Sequence, residues 1–105
     1  MPNNGLALGY AHAMSWHILP EDRQKVLDNL VAVAVAYDEV TAKLVQSYLI
    51  DHRIMAFAPE LHEVPLYPRV RQDISIWVPR RKREEAIMVL RTLAENRAFG
   101  EEENA

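Results

Sequence analysis

The chain has 105 residues, half of them hydrophobic, with 15 acidic and 12 basic side chains and a formal net charge of −3. That length fits one domain with a single small core, and the acidic balance argues against a protein whose whole surface attracts polyanions. The chain has no cysteine, which excludes a disulfide framework, thiol chemistry and thiolate-ligated zinc. No apolar run approaches the ~18 residues of a membrane span. The first ten residues lack the positive charge of a secretory signal. The expectation is a cytoplasmic protein with no membrane contact.

Residues 1–13 hold two of the three glycines and read as a flexible N-terminus. A single α+β domain is expected over 14–99, with 14–29 as a helical extension and 30–99 as the core. Leu19-Pro20-Glu21-Asp22-Arg23 has the proline and acids of a helix first turn. Trp16, Leu19, Val26, Leu27 and Leu30 would form the buried side of that helix. Leu30 to Tyr37 has no charged side chain and alternates valine with alanine. As a regular strand it places Val31, Val33, Val35 and Tyr37 on one face and Ala32, Ala34 and Ala36 on the other. A run apolar on both faces is usually covered on both.

Asp38 is placed to cap a helix whose stripe is Thr41, Leu44, Val45, Tyr48 and Leu49. That helix ends at Asp51-His52-Arg53. Ile54–Ala58 reads as a strand bounded by Pro59, and the three prolines of 59–72 mark an extended loop. Asp73–Val78 alternates cleanly, with Ile74, Ile76 and Val78 toward the core and Ser75 and Trp77 away from it. Arg81 to Arg97 reads as a second long helix with Ala86, Ile87, Leu90, Leu93 and Ala94 inside. Phe99-Gly100 would end it, leaving 100–105 as an acidic flexible tail.

The core is therefore β-α-β-β-α. If the third strand inserts antiparallel between the first two, the sheet order is 1-3-2 with both helices on one face. That is a ferredoxin-like sandwich lacking its last strand.

Over residues 31–94 the chain resembles the prokaryotic signal-transducing protein family, small domains similar in fold to the nitrogen regulatory PII proteins. The likeness rests on the hydrophobic first strand and on Asp38-Glu39 opening a helix through Leu44 and Leu49. Ile54-Met55-Ala56 follows, then Ile76-Trp77-Val78-Pro79 before a helix with Ala86 and Leu90. The family tends to have glycine where this chain has Arg53 and proline where it has Met55. It is acidic where this chain has Arg80-Arg81-Lys82-Arg83. Glycine suits a left-handed helix end, so Arg53 or His52 would carry that conformation here. The resemblance implies a PII-like fold and a regulatory or ligand-binding role, and supplies no catalytic residues.

No catalytic constellation is visible, and neither an enzyme nor a cofactor is expected. His62 lies between Glu60 and Glu63, but a proline-bounded loop fixes no ligand geometry, and no metal site is assigned. His17 beside Trp16 reads as a packing residue. Ser15, Ser47 and Ser75 lack a nucleophile elbow. No glycine occurs between Gly9 and Gly100, so there is no phosphate-binding glycine loop.

Two features invite function. Arg69, Arg71, Arg80, Arg81, Lys82 and Arg83 are half the lysine and arginine of the chain. Together they suggest a site for a small anionic ligand, a phosphorylated small molecule or RNA. Against this stands a solvated face, with Arg80–Glu84 and Arg81–Glu85 pairs at i, i+4 spacing. The second feature is a partner surface of Val31, Val33, Val35 and Trp77, unless the N-terminal helix carrying Trp16 and Leu27 covers it. In a 1-3-2 sheet the first strand is also an unprotected edge. Either a second copy pairs with it, giving a homodimer, or Ser15–Leu19 lies alongside. The expected function is a non-enzymatic regulatory or interaction domain, signal-transducing by resemblance.

Overall fold

A computed structural model describes residues 15–62 and 73–104. Four strands and two helices follow one another as β1 (Trp16–Ile18), β2 (Val26–Leu27), β3 (Leu30–Ala36), α1 (Glu39–Asp51), β4 (Ile74–Pro79) and α2 (Arg83–Asn104). Short 3-10 turns lie at Glu21–Arg23, Pro59–His62 and Arg80–Lys82. The sheet is antiparallel throughout. Its central strand is β3, with β1 and β2 in succession along one edge and β4 along the other.

The ladder between β3 and β4 pairs Val31 with Val78 and Ala32 with Trp77, then resumes with Ala34 opposite Ile76 and Ala36 opposite Ile74. Val33 is the extra residue, so a bulge splits the strand and exchanges its faces. The expected separation of valines from alanines therefore fails at Val33. Val31, Val33, Ala34 and Ala36 all enter the core, with Ile74, Ile76 and Val78 of β4. Val35 and Tyr37 go to the opposite side. The bulge brings Ala34 and Ala36 toward the helices, where Ala42 and Ala86 are fully buried. Small side chains on both layers allow a close approach.

α1 is opened by Asp38, whose Oδ1 accepts from the Thr41 amide at 2.7 Å while Thr41 Oγ1 donates to Oδ2 at 2.9 Å. Its buried side is Ala42, Val45 and Leu49. Leu44, expected in the stripe, is exposed. At the other end the Arg53 amide bonds the Ile50 carbonyl and the Ile54 amide bonds that of Leu49. This is a Schellman motif, with the buried Ile54–Leu49 pair supplying its hydrophobic contact. Arg53 holds the left-handed position at φ 66°.

Ile54 to Ala58 alternates buried and exposed residues as a strand would, yet only Phe57 bridges Trp77, through two backbone bonds of 2.8 Å. The next hydrogen-bonded pairs of that register would be Met55 with Pro79 and Pro59 with Ser75. Each contains a proline that cannot donate, so the pairing stops at one bridge. The spatial order still runs from β3 through β4 to Phe57, as the 1-3-2 reading requires.

The expected N-terminal helix is not formed beyond the turn at Glu21–Arg23. Instead Trp16 pairs opposite Ala36 and Ile18 opposite Ala34, and Val26 pairs opposite Val31. Backbone bonds to β3 outweigh the weak helix signal of Pro20-Glu21-Asp22. Asp28, at φ 54°, turns β2 into β3, a conformation that a short polar side chain tolerates. β3 is consequently no edge strand, and the edge expected to pair with a second copy is occupied. Trp16 is buried on the helix side with the core, while Leu27 is exposed, so neither covers the opposite face.

α2 buries Ala86, Leu90 and Leu93, with Ile87 and Val89 packed against the core. Ala94 is exposed. The helix continues through Gly100 to Asn104, where an ending and a flexible tail were expected. Extending a formed helix adds a hydrogen bond per residue, and glutamate is a good helix former. The expected flexibility of residues 1–13 lies outside the described residues. No described helix is long and apolar enough to cross a membrane.

A candidate anion-binding cleft

The basic segment divides on folding. Arg69 and Arg71 lie outside the described residues. Arg80 follows the end of β4, and its amide bonds the Asn29 carbonyl at 2.7 Å, tying the β2–β3 turn to this corner. Arg81 is exposed and lines neither of the two hollows at this corner. Lys82 Nζ lies 3.3 Å from Glu85 Oε1. The expected Arg80–Glu84 and Arg81–Glu85 pairs do not form. The Lys82–Glu85 pair is exposed and contributes ~0–1 kcal/mol.

Arg83 differs from the other three. Its Nε donates to Gln24 Oε1 at 2.6 Å. Gln24 is itself fixed, because its Nε2 donates to the Leu19 carbonyl at 2.9 Å. Donor at one end and acceptor at the other leave the amide a single consistent orientation. A hydrogen bond to a charged group of this kind contributes ~1.5–3 kcal/mol. The Arg83 side chain is 27% exposed and its terminal nitrogen stands 3.6 Å from Glu21 Oε2, whose side chain is 86% exposed. The guanidinium is thus held by Gln24 and only loosely accompanied by Glu21.

Two hollows of about 350 Å³ each meet at this strap of Glu21, Gln24 and Arg83. One is completed by Val26, Val31 and Arg80. The other is completed by Ile18, Leu19, Pro20, Ile87 and Arg91. Arg83, Ile87 and Arg91 lie four residues apart along one ridge of α2, which puts Arg83 and Arg91 ~12 Å apart along the axis. Among the described residues the side chains of Arg80 and Arg91 have no hydrogen-bond or ion-pair partner.

The cleft joins Arg80 and Arg83 from the expected set with Gln24, Glu21 and Arg91, which sequence reading missed. The spacing of Arg83, Ile87 and Arg91 was visible in the chain. Gln24 carried no signal, since its role depends on β1 and β2 flanking α2.

The expected partner surface also divides. Val33 is buried in the core, and Val31, also buried, reaches only the floor of the first hollow, so neither offers a partner surface. Val35 is 9% exposed and faces away from the helices. Trp77 is partly buried on that same side, opposite Ala32 and Phe57. Exposed Phe57 and Met55 continue its rim. His17 meets Tyr37 there, with the Tyr37 hydroxyl 3.2 Å from Nδ1. His62 is exposed in the 3-10 turn, and Glu60 Oε1 is buried with no hydrogen-bond partner among the described residues. Among the described residues no three His, Asp or Glu side chains converge as a metal site would require. No protein-family model matches the chain, and no curated protein or solved structure matches it.

Proposed function

We propose that this chain is a non-enzymatic regulatory domain that binds a small phosphorylated ligand in the cleft between residues 15–27 and α2. The observation that carries this reading is Arg83, a guanidinium set in place by Gln24 at the junction of two hollows. A planar fork held before binding loses little freedom when it meets a phosphate. Arg80 and Arg91 flank it without side-chain partners among the described residues. Glu21 neutralises part of the charge in the free protein. Being exposed and at 3.6 Å, it yields to a stronger anion.

We read the fold as a ferredoxin-like, PII-like sandwich. The strand order from β3 through β4 to Phe57 supports this. So do the antiparallel β1 and β2 beside β3, which take the place that the missing last strand would fill. A regulatory role then follows from likeness of fold, an analogy rather than a chemical argument.

The test is a titration of the protein with inorganic phosphate at low ionic strength, followed by side-chain NMR of Arg83 Nε–H and the Gln24 amide. Saturable shifts at both groups are expected, weakened by Arg80→Ala, and in Arg83→Ala the shift at the Gln24 amide should be abolished. Added salt should weaken binding moderately. An absence of shifts at these groups refutes the reading. Binding of single-stranded RNA in preference to phosphate, with a salt slope growing by ~0.7 per contacted phosphate, would replace the small ligand by a nucleic acid.

A further inference from the structure

We infer that the ligand of this cleft is a phosphate ester with an apolar, ring-bearing body. The inference rests on the phosphate reading above and adds the class of ester.

The two hollows are chemically unequal. Each is lined by two arginines and Glu21, but Arg80 and Arg83 of the first are three residues apart in the chain, whereas Arg83 and Arg91 of the second stand ~12 Å apart along the helix axis, so the first suits a compact dianion. The second is walled by Ile18, Leu19, Pro20 and Ile87. Ile18 and Ile87 pack against the core, so this wall is anchored. Its backbone is also satisfied at Leu19. The Leu19 amide donates to the Val33 carbonyl at 2.8 Å, and the Leu19 carbonyl accepts from Gln24 Nε2 at 2.9 Å. An apolar group laid there strips water from no unpaired group of Leu19, so the usual penalty of covering a polar backbone is absent at this point. Along that wall, as distinct from the strap of Glu21, Gln24 and Arg83, a polyhydroxylated body would find aliphatic carbon where it needs hydrogen-bond partners.

Arg91 closes the far end of the second hollow. A guanidinium there stacks on an aromatic face as readily as it pairs with an anion. A flat ring is therefore a better fit than an alkyl chain. The volume of about 350 Å³ lies at the lower end of small-ligand sites and accommodates one or two fused rings. In this arrangement the phosphate lies against Arg80 and Arg83, and the ring spans Ile18 and Ile87 toward Arg91.

The experiment compares inorganic phosphate, glycerol phosphate and 1-naphthyl phosphate on the unmodified full chain, by calorimetry and methyl NMR at low ionic strength. The naphthyl ester is expected to bind about tenfold tighter than glycerol phosphate, a difference of ~1.4 kcal/mol. Its signature is a set of shifts at the Ile18 and Ile87 methyls that the other two ligands do not produce. Ile87→Thr should remove most of the tenfold difference between the naphthyl ester and glycerol phosphate. Thermal unfolding of that variant, run alongside, checks that it remains folded. If phosphate and glycerol phosphate bind but the naphthyl ester is no tighter, the ester class is overturned and the phosphate reading stands. If none of the three binds, both are overturned. Naphthyl phosphate that binds with methyl shifts elsewhere also overturns the placement.

Discussion

Arg53 occupies a position that geometry reserves for glycine, and replacing it should stabilise the protein. Its φ of 66° forces a Cβ against the backbone, which costs a residue other than glycine ~1–2 kcal/mol. Glycine removes that cost but makes the unfolded chain more flexible, which takes back ~0.4–1 kcal/mol. The difference leaves Arg53→Gly about 0.8 kcal/mol more stable. The Arg53 side chain is exposed and bonds no described residue, so its loss subtracts little. In a domain of this size ~1 kcal/mol moves Tm by ~4–8 °C, giving an expected rise of about 3–6 °C. Urea unfolding followed by circular dichroism should show a higher midpoint with an unchanged slope. Arg53→Ala, which keeps the Cβ, should stay within ~0.5 kcal/mol of the parent. Arg53→Val should fall below it, because a β-branched residue is worst at positive φ. A glycine variant equal to or less stable than the parent would refute the account of this helix end.

Removing the cap by Asp38→Ala should destabilise the fold by ~1 kcal/mol in the same urea assay, since the Thr41 amide loses its acceptor. Leu49→Ala empties a fully buried site and also strips the hydrophobic contact of the Schellman motif, so a loss of ~2–5 kcal/mol is expected. Against the total of ~5–15 kcal/mol typical of a domain that is a large fraction, and thermal scans should show Tm lowered by roughly 8 °C or more. Pro79→Ala restores a donor opposite Met55. Its new amide should exchange slowly with solvent, and protection at Phe57 should rise. Rapid exchange at residue 79 would show that something other than proline stops the ladder at Phe57.

The chain by itself determined whatever depends on near neighbours. Asp38 three residues before Thr41, the alternation of Ile74, Ile76 and Val78, and the spacing of Ala86, Leu90 and Leu93 each carry their outcome locally, and each is found in the fold. The strained helix end was expected at Arg53 or His52 only through the resemblance, which implies glycine there, and it falls at Arg53. Tertiary structure decided the rest. Residues 16–18 and 26–27 are too short to declare themselves as strands, and they become strands only because β3 offers a row of backbone groups to pair with. The bulge at Val33 answers two partners at once, β4 on one edge and the helix layer above, and no pattern within Leu30 to Ala36 records that demand. The cleft is the extreme case. Gln24 and Arg83 are 59 residues apart, and their bond exists only where the edge strands bring the N-terminal segment against α2. A side chain's partner across such a separation is fixed by chain topology and packing together, and neither is written in the residues beside it.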